Sequence, residues 1–267
     1  MHSPFLATAL DAARAGAEVI RRCYQKNLTI TVKADKSPVT QADVETEQVI
    51  RKMIAERFPS HGFYGEETGS SDIDNDYLWL VDPIDGTKAF VREYPMFSTQ
   101  IALMHKGQLI VGVSSAPLYG EIACAQLPHS VSGYSRQPSV YSLGCWLNEQ
   151  PIRVSSVDSI AGAAISAGNL KSLALSDRWS QYGKLIARAN RIRGYGDFLH
   201  YHLLASGKID AVIESDVNIL DIAATVVIIE AAGGKFTQLD GGAVNLKTTT
   251  VLATNNKLHG AVLKALD

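Results

Sequence analysis

Cysteine is scarce in this chain: three among 267 residues, Cys23, Cys124 and Cys145, with no C-x-x-C pair. So small and odd a set does not make a disulfide framework, and reduced thiols in a cytoplasmic protein are expected. A basic excess is missing as well. Lys and Arg number 25 against 27 Asp and Glu, a formal charge of −2. Binding to nucleic-acid polymers or anionic membranes rewards a positive surface, so neither is expected as the main activity. No stretch approaches 18 consecutive apolar residues, and no helical membrane span is expected. The first 24 residues include Asp11 and Glu18 and lack a continuous apolar core, so they do not read as a secretory signal. Internal repeats and low-complexity tracts are also lacking.

What remains is ordinary globular material, 46% hydrophobic and 19% charged. Leu6, Leu10, Ala13, Ala17, Ile20 and Tyr24 recur at steps of three or four and predict an amphipathic first helix. A second helix opens at Thr40, with Val44, Ile50, Met53, Ile54 and Phe58 as its buried stripe and Pro59 and Gly62 beyond its end. Tyr77–Val81 is an apolar run too short for a helix and predicts a buried strand. Thr99–Met104 and Leu109–Ser115 flank His105-Lys106-Gly107-Gln108 as a β-hairpin, with Glu121–Gln126 as a third strand. Residues 128–150 are rich in Ser, Gly and Pro, which places a boundary between an N-terminal half, 1–135, and a C-terminal half, 136–267. The second half reads as helix (198–205), strand (209–213), helix (222–232, stopped by Gly233-Gly234), strand (251–253) and a terminal helix from Leu258. The pattern is mixed α/β, with sheets and helices in layers.

The chemistry is expected where acids stand at breaks between these elements. Asp82 and Asp85 follow the buried strand directly, Glu66 and Glu67 follow Gly65 in a loop, and Asp221 stands at a helix start. Rigid elements can hold such carboxylates on one point. Several hard oxygen ligands together suit Mg²⁺ rather than zinc, and the N–H groups of Gly86 and Thr87 at a helix start favour an anion. Metal beside an anion cradle is the apparatus of phosphoryl transfer. Plainer readings stay open for every piece. Asp82 to Gly86 reads equally as a tight turn, Asp43 as the partner of Thr40 in a capping box, Asp221 as a helix-start acid, and Glu66 and Glu67 as a solvated pair.

Taken together, Gly65-Glu66-Glu67, Asp82-Pro83-Ile84-Asp85-Gly86-Thr87, and Leu220-Asp221-Ile222-Ala223-Ala224 through Gly233-Gly234 resemble the inositol monophosphatase superfamily over nearly the whole chain. The resemblance implies a layered αβαβα sandwich, a homodimer, and a lithium-sensitive, magnesium-dependent phosphatase holding two or three Mg²⁺ per active site. It implies Glu66, Asp82, the Ile84 carbonyl, Asp85 and Asp221 as metal ligands. Glu66 and Thr87 would activate the attacking water, with Asp43 supporting Thr87, and the Gly86 and Thr87 N–H groups would hold phosphate oxygens. Lys33 is peripheral. The family usually has Trp where Leu220 stands, so altered packing with an intact ligand is expected there. The segment 67–76 is expected as a mobile loop that closes over the site.

Tyr195-Gly196-Asp197-Phe198 resembles the substrate wall of the histidinol-phosphate phosphatases, where inositol phosphatases carry a small residue in place of the acid. With Glu214 at the family's other substrate position, Asp197 would attract the ammonium group of histidinol phosphate. Alternatively Asp197 caps the helix beginning at Phe198. The expected reaction is hydrolysis of L-histidinol phosphate in histidine biosynthesis, with inositol 1-phosphate and 3′-phosphoadenosine 5′-phosphate as alternative substrates. A non-catalytic phospho-ligand-binding relative is a further alternative. It would be expected to lose a ligand or the threonine, whereas Glu66, Asp82, Asp85, Thr87 and Asp221 are all present.

Overall fold

A computed structural model describes residues 2–26, 30–32, 38–128 and 144–267. Lys33 and the expected boundary at residues 135/136 lie outside the described residues.

Alternation along the strands explains the layers. In β5 (Tyr77–Asp85), Trp79 and Val81 face one way and Leu78 and Leu80 the other, as a pleated strand buried on both faces requires. The first face packs against α1 (Pro4–Cys23) and α2 (Gln41–Arg57), through Leu6, Leu10, Ala13, Ile50 and Ile54. The second packs against α6 (Asp197–Ala205) and α7 (Ile219–Ala231), through Tyr201, Leu204, Ala223, Val227 and Ile228. The sheet between them has eight strands: β3 (Gly62–Gly65), β4 (Ser70–Ser71), β5, β6 (Ser98–His105), β7 (Gln108–Ala116), β8 (Glu121–Gln126), β9 (Gly144–Leu147) and β10 (Gln150–Pro151). Their order is β10-β9-β8-β7-β6-β5-β3-β4, antiparallel except for β3 beside β5.

A second sheet covers the far side of α6 and α7. It comprises β11 (Ala164–Ala167), β12 (Arg191–Arg193), β13 (Ala211–Ser215), β14 (Lys235–Thr237) and β15 (Thr250–Thr254), ordered β12-β11-β13-β15-β14. In β13, Val212 faces α7 while Ala211 and Ile213 face the outer helices. Those include α4 (Lys171–Ala174), α5 (Trp179–Ile186) and α8 (His259–Leu266). A small β1 (Ile30–Val32) and β2 (Pro38–Thr40) ladder and the one-turn α3 (Thr87–Val91) complete the chain. The result is the αβαβα sandwich expected from the sequence.

Three local expectations differ from the structure. Asp82 to Asp85 is not a tight turn but the continuation of β5, with a register shift against β6 between Asp82 and Asp85. Pro83 is tolerated there because a bulge does not need its missing N–H. Helix α7 begins three residues earlier than expected, because Asn218 supplies the N-cap. The segment 67–76 is not a free loop: β4 within it pairs with Phe63 and Tyr64, the Arg51 guanidinium donates to the Thr68 and Ser71 hydroxyls, and the Asn75 side-chain amide donates to the Ser60 carbonyl. Among the described residues no helix is long and apolar enough to cross a membrane.

Candidate active site

The bulge in β5 and the first turn of α7 bring three carboxylates together. Single oxygens of Asp82, Asp85 and Asp221 all lie within 4.8 Å of one another. Asp82 is buried, and its Oδ1 accepts the Ile84 N–H at 3.0 Å. Asp85 Oδ2 lies 3.4 Å from the Ser98 hydroxyl. Asp221 is at the third position of α7 and completes a capping box. Its Oδ2 accepts the Asn218 N–H at 2.9 Å and its Oδ1 the Asn218 side-chain amide at 2.6 Å. The capping reading and the cluster reading of Asp221 therefore both hold.

Glu66 is exposed at the rim of this group. Its backbone N–H donates to the Val81 carbonyl at 3.3 Å, which extends the β3–β5 pairing by one residue. Its carboxylate is hydrogen-bonded to Asp82 and acts electrostatically on Asp43, Asp85 and Asp221. Glu67 stands beside it, turned toward α2 through its N–H.

Thr87 and Asp43 meet across the site. The Thr87 hydroxyl is 3.0 Å from Asp43 Oδ1 and 3.0 Å from the Ile84 carbonyl. Asp43 Oδ2 accepts from the Thr40 N–H at 2.7 Å and the Thr40 hydroxyl at 2.6 Å, so its capping box and its link to Thr87 coexist. Gly86, at φ +93°, turns the chain out of β5 into α3, and a Cβ there would stand 2.6 Å from the Met96 carbonyl. The first N–H groups of α3 have no partner within the helix, which leaves that end electropositive.

The charges are unbalanced. Burial, then repulsion by Glu66, Asp85 and Asp221, pushes the Asp82 carboxyl well above the usual carboxylate range. Burial, then Asp221, Asp197, Glu214 and Glu66, does the same to Asp85. Asp221 is pushed up to about 7, mainly by burial with Glu66 and Glu214 adding, against the Asn218 hydrogen bonds. Carboxylates crowded this way call for positive charge among them, and a hard divalent cation fits an all-oxygen donor set.

The opposite wall is formed by α6 and β13. Glu214 is buried. Its Oε2 accepts the Tyr201 hydroxyl at 2.8 Å and its Oε1 the Asn169 N–H at 3.1 Å. His200 Nε2 lies 3.2 Å from Oε2 without the alignment of a hydrogen bond. Burial alone would raise the Glu214 carboxyl, but His200 and these hydrogen bonds bring it below its ordinary range. Gly196 rather than Asp197 occupies the N-cap position, and Asp197 is the first residue of α6. Its φ is +45°, left-handed backbone that a non-glycine residue rarely adopts. Burial, then the neighbouring Glu214, pushes its carboxyl up to about 6, with His200 opposing.

Residue reading from sequence did not single out Tyr201, His200, Asn169 or Ser98. Tyr201 and His200 sit on a helix whose composition reads as plain core. Behind Asp85 a row of buried polar side chains also escaped notice. The Gln100 amide donates to the Ser98 and Ser114 hydroxyls at 2.7 and 3.1 Å, and His202 bridges Ser114 to Glu121 at 2.9 and 2.8 Å. Leu220 is buried in the core shared by the sheets, and Asp221 beside it remains in the cluster.

Sheets in this order make a layered αβαβα sandwich, with an acidic cluster where a bulged strand meets a helix start. The inositol monophosphatase family model matches residues 1–267, and the chain belongs to that family. As a member it is a phosphoric monoester hydrolase. It is 36% identical over 263 residues to a histidinol-phosphatase of Mycobacterium tuberculosis, covering 98% of this chain and 97% of the relative. It is 30% identical over 272 residues to inositol monophosphatase 3 of Solanum lycopersicum, covering 98% and 96%. Among solved structures, the extragenic suppressor protein suhB of Bartonella henselae superposes with a TM-score of 0.86 at 26% identity, over 99% of each chain.

Proposed function

We propose that the chain hydrolyses L-histidinol phosphate to L-histidinol and inorganic phosphate. Asp197 is the observation that carries this reading. A carboxylate held in left-handed backbone just past the N-cap Gly196, next to a second carboxylate at Glu214, makes an anionic wall that a cationic substrate would relieve. The name of the Mycobacterium tuberculosis relative points the same way. Inositol 1-phosphate is the second reading, favoured by the Solanum relative.

Magnesium would be held by Glu66, Asp82, the Ile84 carbonyl, Asp85 and Asp221. Four carboxylates match the charge of two divalent ions. Such ions supply Lewis-acid polarisation of the phosphoryl group and make water more acidic. The chain's own residues do the rest. Thr87 Oγ, supported by the Asp43 carboxylate, accepts a hydrogen bond from the attacking water, and Glu66 takes its proton. The Gly86 and Thr87 N–H groups hold phosphoryl oxygens at the end of α3. Asp197, Glu214 and the Gly196 backbone line the leaving group, with Glu214 fixed by Tyr201 and Asn169. By family resemblance the working form is a homodimer; the sparse cysteines favour the cytoplasm, and the two halves are divided at residues 135/136.

Phosphate release from histidinol phosphate, inositol 1-phosphate and 3′-phosphoadenosine 5′-phosphate, compared with Mg²⁺ present, tests the reading. The expected result is a kcat/KM preference for histidinol phosphate of about a hundredfold, roughly 2.7 kcal/mol of discrimination. A flat profile or a preference for inositol 1-phosphate overturns the substrate and keeps the phosphatase.

A further inference from the structure

One buried carboxylate close to the cluster has no part in this chemistry. Glu47 lies on α2 one turn beyond Asp43 and is completely buried. A carboxylate out of water needs hydrogen-bond donors, and both oxygens have one. Oε2 accepts the Glu67 N–H at 2.8 Å and Oε1 the Thr68 N–H at 2.6 Å. These are the two amides that directly follow Glu66. Hydrogen bonds to an ionised acceptor are among the stronger ones, and two oxygens on two successive amides fix the direction of the backbone as well as its position.

The surroundings make Glu47 specific to that purpose. Residue 66 is held from the other side by its N–H on the Val81 carbonyl, next to Asp82. Asp43, Glu47 and Arg51 stand four residues apart, on one face of α2. They reach in turn to Thr87, to the amides of residues 67 and 68, and to Thr68 and Ser71. One helix thus grips both segments that flank the carboxylate cluster.

We propose that Glu47 is a positioning residue: it clamps the backbone just after Glu66 so that the Glu66 carboxylate is aimed at Asp82 and the metal centre. The inference rests on reading the cluster as a metal centre. Glutamine is the informative replacement, because it keeps size and one acceptor but turns an NH₂ group toward an N–H donor.

The experiment is calorimetric titration of Mg²⁺ into wild-type and Glu47→Gln protein, each checked for folding by circular dichroism and thermal unfolding without metal. The expected result is Mg²⁺ affinity lower by about tenfold or more. The Mg²⁺ concentration for half-maximal phosphate release should rise in step, with a smaller change in kcat at saturating Mg²⁺. A folded variant that binds Mg²⁺ as tightly as wild type overturns the proposal, whatever its Tm. If Glu47→Gln does not fold, the wild type supplies the test through reciprocity. A clamp that favours metal must itself be tightened by metal, so hydrogen exchange at the Glu67 and Thr68 amides should slow when Mg²⁺ is added. Unchanged exchange overturns the proposal. A wild-type protein that binds no Mg²⁺ overturns the metal reading, and this inference with it.

Discussion

Asp197 shows how much one residue's backbone says about its side chain. An aspartate at φ +45°, one residue past the N-cap Gly196, holds its carboxylate beside Glu214. Asparagine and glycine both accept left-handed backbone, so Asp197→Asn and Asp197→Gly remove the charge and keep the geometry. Both variants should lose about ten- to a hundredfold in kcat/KM on histidinol phosphate, the equivalent of a hydrogen bond to a charged group. Activity on inositol 1-phosphate should stay within about threefold. Equal losses on both substrates would show that Asp197 shapes the wall rather than selects the substrate. The sequence made Asp197 visible through its neighbours Tyr195 and Gly196, but only the structure shows that the N-cap position falls on Gly196 instead.

At the scale of elements, α2 and β5 show where sequence patterns stop being legible. The apolar steps of α2 predicted Val44, Ile50, Met53, Ile54 and Phe58 as its buried side. Ile50 and Ile54 are buried, yet Val44 is half-exposed while Asp43, Thr46 and Glu47 lie inside. Hydrophobic periodicity cannot report a face that buries polar groups against a site. Two acids four residues apart, Asp43 and Glu47, were the available signal. Likewise Tyr77–Val81 was legible as a strand, but Pro83 and Gly86 hid its continuation to Asp85, because the residues of a bulge are also those of a turn. Helix α7 carries Asp221 and rests on β7 where Gly112 leaves no space: a Cβ there would lie 2.4 Å from the Ala224 carbonyl. Gly112→Ala should therefore lift α7, destabilise the protein by about 1–3 kcal/mol in urea unfolding, and weaken Mg²⁺ binding by displacing Asp221. Unchanged Mg²⁺ affinity in this variant would mean that α7 shifts without moving its first turn.

For the whole molecule, a layered mixture of sheets and helices was legible from the alternating patterns and the order αβαβα only from the family resemblance, whereas the shared role of α7 was not legible, since contacts between residues so far apart leave no periodic trace. The crowded acids set a stability that depends on pH. In the metal-free protein Asp221 is raised to about 7 and Asp82 and Asp85 are raised well above their ordinary value of 3.8, so the folded state holds these protons more tightly than the unfolded chain. The stability they contribute is complete below about pH 4 and is lost as pH rises through 7. Burial lowers His61, with His105 adding, and lowers His259, with Lys235 adding, each to about 4. Those two act in the opposite sense below about pH 6.5. Between pH 6.5 and 8, Tm without metal should therefore fall, and saturating Mg²⁺ should abolish the decline. A flat metal-free profile would contradict the crowding. The position of α7 also matters while the chain is being made. Leu78, Leu80, Ala102 and Met104 are covered by α7, and 115 residues separate the end of β7 at Ala116 from the end of α7 at Ala231. At roughly 5–20 residues per second, about 6–23 s of synthesis separate the two, an interval in which that apolar sheet face has no α7 to cover it.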